Sequence, residues 1–183
     1  MDYAKVYGTM HENNPKHFPG YTSKRYKEVI KELVFDHEPK RIIDYGCGKG
    51  YQYLGLRIHD VWGGLLPHCY DPAVRQLNVR PEGTFQGLIC TDVLEHIEEK
   101  DLAAVVADML SFLEPEGSFA FISVSCIPAK NKKLPDGRNV HVTIRPPEWW
   151  RNFFSAAKDN FSGSNLTLKY ACETDTDIVY GLV

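Results

Sequence analysis

The segment RIIDYGCGKGYQYL, residues 41–54, decides the predicted fold because an apolar run leads directly into alternating glycines. A short apolar run that ends at glycine predicts a buried strand, and here two isoleucines precede Asp44. The glycines at 46, 48 and 50 would let the backbone turn sharply and approach a ligand, because glycine has no Cβ atom. A helix is predicted from about Gly50 toward His59. Its first N–H groups would face the same place, which suits a carboxylate or a phosphate.

Strands and helices alternate along the rest of the chain. LLPHCYDP predicts a second strand ending at Asp71, residues 87–91 predict a third, and FAFISVS predicts a fourth. Helices are predicted for residues 23–35, for 100–113 and for PEWWRNFFSAAKDNF, and Pro72 is expected to open another. LTLKYACET and DIVYGLV flank DTD and predict a C-terminal antiparallel hairpin. This order predicts an α/β fold in which helices cover both faces of a mostly parallel sheet.

The composition favours a single domain that spans residues 1–183. Hydrophobic residues make up 43% of the chain, which is enough for one substantial core, and the formal net charge is -3. A dedicated nucleic-acid surface would usually be basic, so no nucleic-acid partner is expected. No stretch resembles a signal peptide or a membrane span, so we expect a cytoplasmic protein without a membrane partner.

The five cysteines are odd in number, widely spaced and without a C-x-x-C motif. This pattern is not that of a disulfide framework or of a zinc site, and a reducing compartment is the simplest interpretation. No residue is predicted as a metal ligand.

The spacing of the glycines indicates which ligand the loop would hold. A dinucleotide site favours G-x-G-x-x-G, whereas Tyr51 stands where the third glycine of that motif would be. The pattern present is D-x-G-x-G-x-G, and its leading Asp44 favours a ligand with a cationic group. S-adenosylmethionine carries an ammonium, a carboxylate and a sulfonium, so it suits this combination. Asp71 could accept hydrogen bonds from both ribose hydroxyls, a feature that would serve NAD equally well.

Three motifs, DYGCGKG, CYDP and GLICTDVLEHI, occur in this order, and the set resembles the class I S-adenosylmethionine-dependent methyltransferases. The resemblance implies a Rossmann-like sheet of seven strands, mostly parallel, with S-adenosyl-L-methionine as cofactor. It assigns the methionine end of the cofactor to Asp44, Gly46, Cys47, Gly48 and Gly50. It assigns the ribose to Asp71 with Pro72, and the surroundings of the methyl group to Asp92, Val93 and Leu94.

Some details of this assignment stay open. Only 16 residues lie between Asp71 and Leu88, which is short for a helix plus a further strand. That strand is therefore expected to be rudimentary and the adenine pocket to be more open than usual. Asp71 and Asp92 could instead act as helix caps, and the glycines could form a tight turn that holds no ligand.

Methyl transfer depends mainly on holding the acceptor in line with the methyl group, and a general base helps when the acceptor is a hydroxyl or an ammonium. Histidine suits this role at neutral pH. His141 in LPDGRNVHVTIRPP is the first candidate, His96 in DVLEH is the second, and His11 is the third. Each could equally be a hydrogen-bonded structural residue.

Two segments are predicted to complete the site: an N-terminal cap, residues 1–36, and a substrate loop, residues 127–148. The loop carries a positive patch that would attract an anionic acceptor or would simply be solvated. Its members are Lys130, Lys132, Lys133, Arg138 and Arg145. The expected function is methyl transfer to an oxygen or nitrogen of a small-molecule acceptor, a metabolite or a sugar, including an anionic one.

Other functions are kept as alternatives. The chain lacks the N/D-P-P-Y/F motif of amino-methylating DNA enzymes, and SCIPAK has the wrong residue order for cytosine-ring methylation. Nucleic-acid methylation is the first alternative, and a protein that binds S-adenosylmethionine for another purpose is the second. A dehydrogenase is least favoured because the dinucleotide glycine pattern fails. The sequence leaves the oligomeric state open.

Overall fold

A twisted sheet forms the centre of the computed structural model, which describes residues 2–14, 18–163 and 165–183. Its order is β2-β1-β3-β4-β5-β6, and every neighbouring pair is parallel except β5 and β6, which are antiparallel. The strands are β1 (Ile42–Tyr45), β2 (His68–Tyr70), β3 (Gly87–Thr91), β4 (Phe119–Ser125), β5 (Thr167–Glu173) and β6 (Ile178–Leu182).

Helices lie on both faces of this sheet. They are α1 (Tyr3–Asn13), α2 (Lys27–His37), the short α3 (Tyr51–Leu54), α4 (Glu99–Leu110) and α5 (Pro147–Asp159). Three 3₁₀ turns, Thr22–Tyr26, Ile58–Trp62 and Leu94–His96, join some of them to neighbouring elements. The helix α5 begins with Pro147, whose missing N–H would have no partner at that position in any case.

Alternate residues of the central strands enter two separate cores, as the pleat of a strand requires. Ile42 and Ile89 pack with α2 and with the turn around Trp62. Ile43 and Leu88 pack with α4 and α5. All residues of β3 and β4 are buried, which explains why both strands are mostly apolar in sequence.

The α/β class, the parallel sheet and the C-terminal antiparallel hairpin are confirmed, but the expected number of strands is wrong. Among the described residues the sheet has six strands, not seven. Residues 72–84 form turns and bends and no helix, so Pro72 does not open one. The N–H of Asp71 donates to the carbonyl of Leu77, which closes this segment into a loop. With only 16 residues before β3, there is no room for a helix and a further strand.

The helix predicted toward His59 is also shorter than expected. α3 ends at Leu54, and Arg57 then adopts a left-handed conformation, with φ of 48°, before a separate 3₁₀ turn begins.

The N-terminal segment begins with a helix, α1. α1 spans eleven residues and packs through Tyr7 and Met10 against Leu134 and Val140 of the predicted substrate loop. The two predicted accessory segments therefore contact each other. Residues 1 and 15–17 of the predicted cap lie outside the described residues. None of the described helices combines the length and the apolarity that a bilayer crossing requires.

Candidate functional site

The turn that follows β1 needs glycine at two positions at least. Gly46 and Gly48 have φ of 74° and 58°, a left-handed conformation that side chains disfavour. A Cβ atom on Gly46 would lie 2.4 Å from Cγ2 of Val93, and one on Gly48 would lie 2.5 Å from the carbonyl oxygen of Phe18. The residues that follow β3 thus cover the turn closely on one side, and the N-terminal segment covers it on the other.

Asp44 is completely buried at the end of β1, and its two oxygens differ in environment. Oδ2 accepts hydrogen bonds from Nε2 of Gln52 (2.8 Å) and from the hydroxyl of Tyr53 (2.7 Å). Oδ1 has no hydrogen-bond partner among the residues that the structure describes. Burial raises the pKa of Asp44 to about 7, although the two donated hydrogen bonds oppose this shift. An unpartnered buried carboxylate oxygen is costly and suits a cationic ligand.

Asp71 follows β2 and is bonded to the glycine turn. Its Oδ2 accepts a hydrogen bond from the N–H of Gly48 (2.8 Å), and its Oδ1 accepts one from the N–H of Ala73 (2.9 Å). Burial raises the pKa of this carboxyl to about 6. Asp71 therefore stabilises two backbone turns, and contact with a ribose remains a prediction, as it does for the neighbouring Pro72.

The N–H groups at the start of α3 do not face an open site, which corrects the expectation from the sequence. The N–H groups of Lys49, Tyr51 and Gln52 donate to the carbonyls of residues 18, 19 and 20, at 3.4, 3.2 and 2.9 Å. A glycine at position 20 permits this close approach, because a Cβ there would lie 2.2 Å from the carbonyl oxygen of Cys47. The segment 18–20 thus covers the glycine turn.

A groove of about 970 Å³ lies beside the turn, between α1, α3 and the loop 72–78. This volume is within the usual range for ligand sites, roughly 300–1,000 Å³. Of the residues predicted for the site, Pro72 and His11 line it. Other lining residues are Lys5, Gly8, Lys49, Tyr51, Val74 and Leu77.

The three residues predicted near the methyl group have different surroundings. Asp92 is left-handed, with φ of 55°, and its Oδ1 accepts a hydrogen bond from the hydroxyl of Ser123 at 2.9 Å. Burial raises the pKa of Asp92. Val93 is half-buried and lies against Gly46, so the first and third motifs meet there. Leu94 is fully buried in the core beside α4.

The structure brings His96 and His141 together. Their ring centroids are 4.9 Å apart, and the planes are nearly perpendicular. Nδ1 of His96 lies 3.0 Å from the carbonyl oxygen of Val140, and Nδ1 of His141 lies 2.7 Å from that of Ile127. Since a carbonyl only accepts, both Nδ1 atoms carry a proton, and in the neutral form of each ring the lone pair is on Nε2. Burial lowers the pKa of His96 to about 3.

Sequence reasoning missed Glu95, the third member of this cluster. One candidate ligand atom from each of Glu95, His96 and His141 lies within 4.8 Å of the others. Glu95 is completely buried, and burial raises its pKa well above the usual range. The signal available in the sequence was the Glu-His pair shortly after a strand.

His11 lies near the same cluster, on the other side of Phe18. The Phe18 ring centroid is 5.2 Å from that of His11 and 5.7 Å from that of His96. Two of the three predicted catalytic histidines, His11 and His96, therefore contact the Phe18 ring, and the third, His141, contacts His96. The roles assigned to them remain predictions.

The positive patch of the substrate loop is partly neutralised. Arg138 pairs with Asp136 and Glu98, and Arg145 pairs with Glu99. The ammonium of Lys132 lies over the Phe18 ring, 5.1 Å from its centroid. Lys132 is thus linked to the histidine cluster through Phe18, whose ring contacts His96.

Comparison with known proteins bears on the family and on the fold. A family model described as a methyltransferase domain matches residues 18–158. A solved structure of an O-methyltransferase family protein from Burkholderia thailandensis superposes with a TM-score of 0.52 at 15% identity. The match covers 74% of this chain and 50% of that one, so the chain spans about half the length of that structure. At this identity the similarity shows the fold. No curated protein matches the chain.

Proposed function

The chain belongs to the family of methyltransferase domains, and on that premise we propose that it transfers a methyl group from S-adenosylmethionine to an oxygen or nitrogen of a small-molecule acceptor. The observation that carries the proposal is the buried Asp44 beside the left-handed glycine turn. Oδ1 of Asp44 has no hydrogen-bond partner among the described residues, so it provides an acceptor for the ammonium group of a ligand.

The residues present fit this cofactor. Asp44 offers a negative charge for the ammonium of the methionine end, next to the turn formed by Gly46, Cys47, Gly48 and Gly50. The neighbouring groove is large enough for the nucleoside, and it is lined by Pro72 and Val74 directly after Asp71. Asp71 would hold the ribose hydroxyls while it keeps its hydrogen bond to Gly48.

The chemistry divides between cofactor and protein. When bound, S-adenosylmethionine supplies an electrophilic methyl group, so the protein needs mainly to align the acceptor. Asp92, Val93 and Leu94 follow β3, whose carboxyl end adjoins the glycine turn. Nε2 of His141, the first candidate, would orient the acceptor and receive the proton that it loses on methylation. His96 stays the second candidate, and its lowered pKa makes it the weaker base. His11 is the third candidate for this role.

The acceptor is proposed to be a small metabolite or sugar. An anionic acceptor would be attracted by Lys132 and the adjacent lysines, whereas Arg138 and Arg145 already have acidic partners. The net charge of -3 disfavours nucleic acid as the acceptor.

Two measurements test the proposal. Isothermal titration calorimetry should detect binding of S-adenosylmethionine and S-adenosylhomocysteine, and an acceptor screen should then detect release of S-adenosylhomocysteine. The screen includes DNA and RNA, whose binding would weaken steeply with salt. Failure to bind S-adenosylmethionine at millimolar concentration, together with binding of NAD, would overturn the proposal. Cofactor binding without any methylated product would favour a different activity.

A further inference from the structure

We propose that Glu95, His96 and His141 form a binding site for a divalent transition-metal ion of the Zn²⁺ type. The site would be built from two imidazole nitrogens and one carboxylate oxygen. Two histidines and one carboxylate form a recurrent ligand set for zinc and for non-haem iron. Metal binding at these residues does not depend on the proposed methyl transfer.

The ligand atoms are available on all three side chains. Oε1 of Glu95 accepts a hydrogen bond from the N–H of Ser125 at 2.9 Å, which fixes the carboxylate. Oε2 is buried and has no hydrogen-bond partner among the described residues. A fully buried carboxylate with one unpartnered oxygen is unfavourable by itself, and a cation would compensate for it.

The two rings are oriented as metal-bound histidines usually are. Each donates its Nδ1–H to a backbone carbonyl, that of Val140 for His96 and that of Ile127 for His141. This arrangement fixes the tautomer and leaves Nε2 for a metal ion. The N–H of His141 in addition donates to Oδ1 of Asn139 at 2.8 Å, which fixes the backbone that carries the ring.

The loop that carries His141 is tied to the residues that carry the other two ligands. The carbonyl of Glu95 accepts hydrogen bonds from the N–H groups of Val142 (2.8 Å) and Thr143 (3.0 Å). The hydroxyl of Thr143 donates to the carbonyl of Ile97 at 2.6 Å. The cluster is therefore held by a built framework and is not a chance meeting of exposed side chains.

The separations need only a small adjustment for binding. Ligands about 2.1 Å from one ion in tetrahedral geometry lie about 3.4 Å from each other. One candidate ligand atom from each of the three side chains lies within 4.8 Å of the other two. Three protein ligands would leave at least one coordination position open, as in catalytic metal sites.

An open position gives the ion a role that rests on the proposed function. An acceptor hydroxyl or amine could occupy that position near Asp92, and the ion would then orient it and favour loss of its proton. In that case the Nε2 atoms of His96 and His141 would act as ligands to the ion instead of as bases.

The experiment measures metal binding by the full chain in the absence of cofactor. Equilibrium dialysis against Zn²⁺, followed by metal analysis, should find one tightly bound ion per chain. Glu95→Gln keeps an oxygen for the N–H of Ser125, and His141→Asn keeps an N–H donor near the position of Nδ1. Each should lower the affinity at least about tenfold. His37→Asn is the matched control, because its Nδ1 also lies near a backbone carbonyl, that of Gly117, outside the cluster.

Titration with Co²⁺ distinguishes this site from the five free thiols. Ligation by nitrogen and oxygen gives visible d–d absorption without the sulfur-to-cobalt charge-transfer band that cysteine ligation produces. If a variant fails to fold, histidine ¹⁵N NMR spectra of the unaltered protein test the site instead. Addition of Zn²⁺ should then shift the Nε2 signals of His96 and His141. Absence of a stoichiometric ion, binding of Mg²⁺ only, thiolate ligation, or equal affinity in both cluster variants and the control would overturn the proposal.

Discussion

Gly48 and Asp71 are joined by a hydrogen bond of 2.8 Å from the backbone N–H of the glycine to Oδ2 of the aspartate. The glycine turn after β1 and the acid after β2 are thereby one structural unit. The bond explains how Asp71 can stabilise the turn even before any ligand binds.

Replacing Asp71 should therefore affect stability as well as cofactor binding. Asp71→Ala removes acceptors for two backbone N–H groups and should lower the free energy of unfolding by about 1–3 kcal/mol. It should also weaken S-adenosylmethionine binding in calorimetry. Asp60→Ala, at an exposed ion pair with Arg57, is the control and should destabilise the protein much less. Unchanged cofactor affinity in Asp71→Ala would remove Asp71 from the site.

Asp44 should make stability depend on pH. Because its pKa is about 7 in the folded protein, above the ordinary 3.8, the folded state binds the proton more tightly. The free energy of unfolding should then fall as pH rises from about 4 to about 7. Asp71, with its pKa raised to about 6, acts in the same direction. Urea unfolding across this range should show a smaller fall for Asp44→Asn. An equal fall in both proteins would contradict the assignment.

Gly46 should tolerate alanine less well than a glycine with similar backbone geometry. Gly46→Ala places a residue with a Cβ atom in a left-handed backbone conformation. This Cβ would lie 2.4 Å from the Val93 side chain. At Gly117, with φ of 66°, a Cβ would meet no atom of the described residues within 4 Å. Gly117→Ala should thus cost only the conformational strain, about 1 kcal/mol, and Gly46→Ala should cost more.

A double variant tests the cause of that difference. Val93→Ala removes the two methyl groups nearest to the added Cβ, so Gly46→Ala should destabilise this background less than the unaltered protein. Chemical denaturation of the four proteins gives the coupling. Additive costs would show that contact with Val93 is not the reason.

Tyr7 should hold α1 against the loop that carries His141. Its hydroxyl lies 3.2 Å from the carbonyl oxygens of both Val140 and His96. Tyr7→Phe should cost about 1 kcal/mol and should speed hydrogen exchange of the N–H groups in residues 140–143. Tyr180→Phe, at an exposed position on β6, should change neither quantity. Unaltered exchange in the loop would exclude this link.

His141 should be required for turnover but not for cofactor binding. Its ring contacts His96 and the carbonyl oxygen of Ile127, and among the described residues no contact with Asp44 or the glycine turn is seen. His141→Ala should lower the rate of S-adenosylhomocysteine release at least about 100-fold. Calorimetry should find the affinity for S-adenosylmethionine unchanged, and His37→Ala should remain active. A fully active His141→Ala variant would remove the loop histidine from the reaction.

Much of the fold follows from local sequence patterns. The strand before Asp44, the buried strands β3 and β4, the helix beginning at Pro147 and the closing hairpin were all predicted at or near their observed positions. The reason is that hydrophobic runs, proline and turn residues act over a few neighbouring positions. The seventh strand was inferred from resemblance alone, and the segment between β2 and β3 is too short to form it.

The sequence by itself determined the succession of strands and helices along the chain and the glycine turn that follows β1, because both depend on residues adjacent in the chain. Only the tertiary structure decided that the carbonyls of residues 18–20 accept hydrogen bonds from the N–H groups at the start of α3. It also decided that His141 meets Glu95 and His96. These contacts join residues far apart in the chain, and they form because parallel strands end at one edge of the sheet while α1 presses the long loop against that edge.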